Sequence, residues 1–371
     1  RTEGERGGEK RRREMAREYE AWPAQRDRGM VKLQQALDLL PVRILGLNMG
    51  ITGLAILWST ARDFLIYEPS SWTGEWIPVL VGLCNIIAIC ATCVGASILL
   101  LFVLKMGLNW EATRKDANDA EYAPVFCMAS IALLVIGSQI GYYLEKGIAE
   151  FIWCLAVALH VLLVVNWGGQ LAKFDIEVFY PTYFVPPVGI AVAALTCPNS
   201  GTCESAAPFF YFAVVAYILM LPLCFYRAHF VEPALNDTQE NTYIIFADPP
   251  ALLLNCWITV MGGSLYDPWT HILFVLMCVF LVAVAVRFTI KQTLSKSFLP
   301  SQAAWLFSSV MILKAFVLYL SLFADAEGRE LHWWSTCGLW AGVLTVTGMA
   351  AVIVYRYVWA VSNGVKFTGG A

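Results

Sequence analysis

Long apolar runs free of charge restrict this chain more than any other feature. Stretches 49–59, 79–104, 125–136, 151–165 and 272–286 contain no Asp, Glu, Lys or Arg. Several reach or approach the ~20 residues that cross a bilayer as a helix. Only 14% of the 371 residues are charged and 58% are apolar, against about 25% charged in a soluble domain. A soluble fold could not cover that much apolar surface without a very large core. The expected fold class is an all-α polytopic membrane protein.

Ten spans are expected, at about 42–60, 76–104, 122–143, 148–170, 181–197, 207–229, 243–264, 268–290, 301–323 and 334–359. They imply three regions: a charged N-terminal segment at 1–37, a transport domain at 38–360 and a short tail at 361–371. The first segment contains Lys10-Arg11-Arg12-Arg13 and is read as a solvated or lipid-binding arm. No short apolar stretch with a cleavage site precedes the first span, which is expected to act as its own insertion signal. The chain opens on Arg1 rather than Met and is read as a fragment.

Basic residues set the orientation. With the N-terminus inside, the inner connections hold Lys105, Arg114, Lys115, Lys173, Arg227, Arg287, Lys291 and Lys296, and the C-terminal end adds Arg356 and Lys366. The outer connections hold Arg62, Lys146 and Arg329. The bias predicts both termini in the cytoplasm. It does not select a membrane; the plasma membrane is the favoured expectation. The glycosylation triplet Asn236-Asp237-Thr238 falls on the inner side in this arrangement, and the charge bias outweighs it. Cys197 and Cys203 flank a polar loop on the outer side and are candidates for a disulfide. Cys90 and Cys93 lie within a span without polar neighbours, where cysteine packs as a small hydrophobe.

Proline adds a pattern. Each odd-numbered span opens near one: Pro41, Pro124, Pro181, Pro249 and Pro300, with Pro186-Pro187 inside the fifth and Pro250 following Pro249. Proline is favoured at helix starts but breaks a helix interior, and in lipid such a break is tolerated where protein or water covers it. Kinked odd spans and straighter even ones predict five helical hairpins around an axis, odd helices inside and even helices outside.

Four segments on the odd spans carry a family likeness. Ile44-Leu45-Gly46-Leu47-Asn48-Met49-Gly50-Ile51-Thr52-Gly53-Leu54-Ala55, Pro181-Thr182-Tyr183-Phe184-Val185-Pro186-Pro187-Val188-Gly189, Phe246-Ala247-Asp248-Pro249-Pro250 and Ala304-Trp305-Leu306-Phe307-Ser308-Ser309 resemble, in order, the first, fifth, seventh and ninth helices of the tellurite-resistance/dicarboxylate transporter family. That family includes the plant guard-cell slow anion channels. The resemblance implies a central pore lined by the odd helices, a homotrimer with one pore per subunit, and small anions of the chloride, nitrate, malate or sulfite class as cargo. It implies that Phe307 plugs the pore. The chain has Ser308 where the family pattern has Pro.

The remaining candidates follow from residue chemistry. Lys314 is the one cation these boundaries place deep in a span, seven residues after Phe307 and so about 10 Å further along the same helical face. A charge at mid-membrane costs at least ~2.5–3.5 kcal/mol, which favours an anion site over a structural pair. Asp248 reads either as a helix cap or as a group coupling transport to protons. Asn48, Gly50, Phe184, Pro186, Pro250 and Ser308 complete the candidate pore lining; Asn48, Thr182 and Ser308 could donate hydrogen bonds to an anion, while lone polar residues on helices more often bond across helix interfaces. His160 reads as a helix-to-helix hydrogen bond. No Walker loop, dinucleotide fingerprint or Ser-His-Asp arrangement occurs, and the four His are scattered. No enzymatic activity, cofactor, metal or nucleic-acid partner is expected. A non-transporting receptor or scaffold would be expected to carry larger soluble loops.

Overall fold

The computed structural model describes residues 37, 40–67, 76–171, 175–291, 299–327 and 333–363. The basic run at 10–13, Lys173, Lys296, Arg329 and Lys366 lie outside the described residues. Every regular element among the described residues is helical. The first is α1 (Ile44–Tyr67), followed by α2 (Ile77–Leu108), a short α3 (Trp110–Ala117), α4 (Ala123–Tyr143) and α5 (Lys146–Leu171). Pro78 and Pro124 occupy the first turns of α2 and α4, where a missing N–H leaves no bond unmade.

The expected fifth and seventh spans are not continuous helices. The fifth is a 3₁₀ turn (Pro181–Phe184) followed by α6 (Val185–Gly189) and α7 (Ala191–Leu195). Pro186 and Pro187 have no N–H, so the carbonyls four residues earlier lose their helical partners. Between them come α8 (Ser200–Phe230), with Pro208 and Pro222 inside it, and α9 (Asp237–Glu240). The seventh is a 3₁₀ stretch (Asn241–Phe246) followed by α10 (Asp248–Thr259). Then come α11 (Pro268–Lys291), a 3₁₀ turn (Pro300–Ala303) leading into α12 (Ala304–Glu327), and α13 (Trp333–Ser362). Eight helices among the described residues are long and apolar enough to cross a membrane. The two broken segments are the ones that fall short, because proline divides them.

Packing follows a closed circuit. α1 packs on α4, α4 on α6 and α7, α7 on α10, α10 on α12, and α12 on α1. Each of α2, α5, α8, α11 and α13 packs against the circuit member that precedes it. In the most apolar windows of α1 and α4, 89% and 83% of residues are buried, against 17% to 28% for α2, α5, α8, α11 and α13. The latter helices expose large apolar side chains such as Val79, Ile86, Phe151, Leu162 and Val282. Water would not tolerate that surface, and lipid does.

The break in the fifth segment is held from two sides. His160 of α5 is fully buried, with Nε2 2.8 Å from the Pro186 carbonyl oxygen and Nδ1 2.8 Å from Ser130 Oγ of α4. The carbonyl can only accept, so Nε2 carries the proton. Trp153 donates to the Ala193 carbonyl at 2.9 Å, and the Cys256 thiol of α10 reaches the Ala191 carbonyl at 3.3 Å. Cys197 and Cys203, between α7 and α8, are joined by a disulfide with Cα atoms 5.1 Å apart. Asn236 caps α9, its Oδ1 accepting from the Gln239 N–H at 2.9 Å.

Two glycines of α1 permit the approach of α12. A Cβ on Gly50 would stand 2.5 Å from Leu306 Cβ, and one on Gly53 would stand 3.2 Å from Phe307 Cδ2. Gly82 of α2 faces open space. Gly50→Ala should therefore destabilise the protein by about 1–3 kcal/mol. Gly82→Ala should be neutral or stabilising by up to about 1 kcal/mol. Thermal unfolding in detergent measures both. His160→Ala, which leaves the Pro186 carbonyl without its partner, should cost about 1–3 kcal/mol in the same assay.

Candidate functional site

One small cavity takes a contribution from every member of the circuit. Met49 of α1, Ile131 of α4, Phe184 and Val188 of the fifth segment, Asp248 of α10 and Phe307 of α12 all border it. The broken backbones allow this. Gly189, at the end of α6, brings the fifth segment against Ile131, since a Cβ there would stand 2.7 Å from Ile131 Cδ1. Room for water centres amounts to about 20 Å³, space for about one water. Phe307 is 2% exposed, so its ring is enclosed by its neighbours. Phe184 packs its ring against Phe246 and Tyr217, with centroids 5.7 and 5.8 Å away.

Asp248 is the one charged residue on this lining. It is the first residue of α10, and the cap position belongs to Ala247, which makes no side-chain cap bond. The helix-cap reading of Asp248 therefore gives way to a different contact. Ser308, the residue after Phe307, lies close enough to act on its carboxylate, while its Oδ1 is buried with no hydrogen-bond partner among the described residues.

The other candidates are placed elsewhere. Gly50 packs on Leu306 rather than on the cavity. Asn48 is fully buried on the face of α1 that meets Gly95 of α2, and neither polar atom of its side chain has a partner among the described residues. Pro249 borders the cavity where Pro250 does not. Pro186 turns its carbonyl to His160. Lys314 is partly exposed, and the groups that act on it electrostatically are Cys256 and Asp63, not Asp248. Asp63 is already held by Arg62, at 2.6 Å.

A second cavity lies at the end where the circuit segments begin, with room for water centres of about 40 Å³. Arg43, Glu121, Tyr180, Gln239 and Ser301 border it, one from the start of each segment. Arg43 forms an ion pair with Glu121 and lies over the Tyr122 ring at 4.9 Å. Burial, helped by the nearby Glu121 carboxylate, raises the Tyr180 phenol above its usual range. The reading of the sequence passed over these residues. The signal available was positional, since each stands just ahead of an odd-numbered apolar run. Among the described residues, no group of three or more His, Cys, Asp or Glu is arranged to hold a metal.

The family model described as voltage-dependent anion channel matches residues 40–290, which takes in α1 through nearly all of α11. None of the curated proteins compared with the chain matches it. The matched region is well over half of the sequence and includes three of the four segments whose likeness was noted. The chain belongs to the voltage-dependent anion channel family, the tellurite-resistance/dicarboxylate transporter group, and is an integral membrane protein with multiple apolar helices.

Proposed function

We propose that this protein carries small anions across a bilayer along the axis of the circuit, with the Phe307 ring as the closed gate. The observation that carries this reading is the cavity at Phe307, bordered by all five circuit segments and holding space for about one water. An apolar ring in so narrow a passage excludes water, and an ion cannot pass without water or a substitute for it. In this reading the circuit and its outer neighbours form ten spans in five hairpins. Both termini face the cytoplasm, and three copies assemble in the plasma membrane with one pathway each.

The field along the pathway would come mainly from backbone. The circuit segments all begin at one end, so the positive ends of their dipoles gather there. Lys314, beyond Phe307 and without a hydrogen bond or ion pair among the described residues, would supply the one full charge on the far side. A stronger site would hold an anion too long for rapid passage. Chloride, nitrate, malate and sulfite are the anions the reading admits.

Asp248 supports a second reading, a proton-coupled carrier for small mono- or dicarboxylates. Its carboxylate borders the same cavity, and one of its oxygens has no partner among the described residues. Proton loading there would change the charge beside the gate.

Phe307→Ala separates a gate from ordinary packing. Loss of a gate raises anion current strongly in reconstituted liposomes while the amount of folded protein holds. Loss of a packed ring costs about 3–5 kcal/mol and gives no gain of current. Lys314→Ala should lower anion conductance or alter the order of anions, and an unchanged order would return Lys314 to a structural role. Asp248→Asn decides the second reading: a carrier loses uptake driven by a proton gradient and keeps passive exchange, whereas a channel shows the same current with and without the gradient.

A further inference from the structure

The cavity where the circuit segments begin has two charged residues on its lining, Arg43 and Glu121, and they are paired with each other. Arg43 immediately precedes α1, and Glu121 stands two residues before α4. The pair thus bridges two neighbouring circuit segments at the mouth of the proposed pathway. Its side chains keep 14% and 29% of their surface exposed, so water and solutes reach it. The backbone N–H of Glu121 donates to Asp119 Oδ1 at 2.8 Å, which fixes the turn that presents the glutamate to Arg43.

The rest of the lining is equipped for a polar guest. Thr182, 7% exposed, has its hydroxyl buried with no hydrogen-bond partner among the described residues, and it borders this cavity. Tyr180, from the same stretch as Thr182, and Gln239 and Ser301, from two others, add further polar groups. A buried hydroxyl without a partner is costly unless something occupies the space beside it.

We propose that Arg43 is an oxyanion-binding residue at this mouth and that Glu121 is its internal competitor. A guanidinium presents a planar fork of N–H donors that matches two coplanar oxygens. One oxygen of the Glu121 carboxylate holds one arm of that fork, Arg43 Nη2, in the absence of cargo. An incoming anion with two oxygens on one face, as in a carboxylate or nitrate, takes its place, and Glu121 turns outward into water. The exchange breaks one ion pair and makes another. A partly exposed pair contributes little net stability, so the glutamate yields readily. Chloride, a single sphere, cannot engage both arms of the fork. The Thr182 hydroxyl then donates to the bound anion. The proposal rests on the anion-pathway reading, but its test does not depend on flux.

The test is the thermal stabilisation of purified full-length protein in detergent, with sodium malate or sodium nitrate replacing sodium chloride at constant ionic strength. Glu121→Gln should lower the melting temperature in chloride yet reduce the half-saturating concentration of malate and nitrate about fivefold, the ratio equivalent to ~1 kcal/mol from a partly exposed pair. Arg43→Gln should abolish the malate and nitrate effect, and Arg43→Lys should weaken it, because an ammonium keeps the charge and loses the fork. If Glu121→Gln fails to fold, Glu121→Asp, whose shorter reach loosens the same pair, takes its place and should shift affinity in the same direction. A purely structural ion pair gives lower melting temperatures with unchanged half-saturation, and that result overturns the proposal. So does malate binding that survives in Arg43→Gln. A Phe307→Ala protein without added current would count against the pathway while leaving these binding results to stand or fall alone.

Discussion

The unsatisfied backbone of the fifth segment is the constraint on which the rest of this structure depends. Pro186 and Pro187 remove two helical N–H groups, and the helix stops and restarts around Ile190. Lipid offers no hydrogen bonds, so such a segment survives only when protein surrounds it. His160 and Trp153 from α5 and Cys256 from α10 meet the carbonyls of Pro186, Ala193 and Ala191. Those contacts tie an outward-facing helix and a neighbouring circuit member to the break. In the seventh segment, Asn255 of α10 donates across to the Met311 carbonyl of α12 at 3.0 Å, which ties two neighbouring circuit members together. A ring of broken and unbroken helices inside a sleeve of apolar ones follows from this need.

The proposed function follows from where the breaks fall. A continuous helix would present side chains to the axis at every turn. A helix that stops at Gly189 brings backbone and small side chains close to its neighbours, leaving a gap that Phe307 and Phe184 fill. Asp248 borders that gap because Pro249 and Pro250 start α10 beside it. Cationic residues of different character precede and follow the residues that border this cavity: Arg43 comes before Met49 on the first segment, and Lys314 comes after Phe307 on α12. Arg43 is paired and part of a polar cavity, whereas Lys314 is partly exposed and has no hydrogen bond or ion pair among the described residues.

Much of this arrangement can be read from the sequence, because apolar runs and prolines state the physics of lipid directly. Phe184, Asp248 and Phe307 were selected from separate stretches of chain and meet at one cavity. What the sequence does not encode locally is the rotation of each helix about its own axis. Asn48, Met49 and Gly50 are consecutive, and each step turns about 100°, so one borders the cavity while the others face α2 and α12. The two broken segments were legible as kinked spans and not as full interruptions, since how far a proline opens a helix depends on the partners its carbonyls find. Arg43 and Glu121 escaped notice because single charges at the ends of apolar runs look like ordinary interfacial residues. Only the fold brings the starts of α1 and α4 together.

The most direct measurement of the central claim is the sidedness of thiol labelling along the circuit, with a membrane-impermeant reagent and a background lacking the other free cysteines. If the passage is sealed at Phe307, Ser301→Cys reacts from one side of the membrane only and Lys314→Cys from the opposite side only. Adding Phe307→Ala lets reagent from either side reach both. Labelling of both positions from the same side with Phe307 intact, or from neither side after its removal, would contradict a closed axial pathway through this protein.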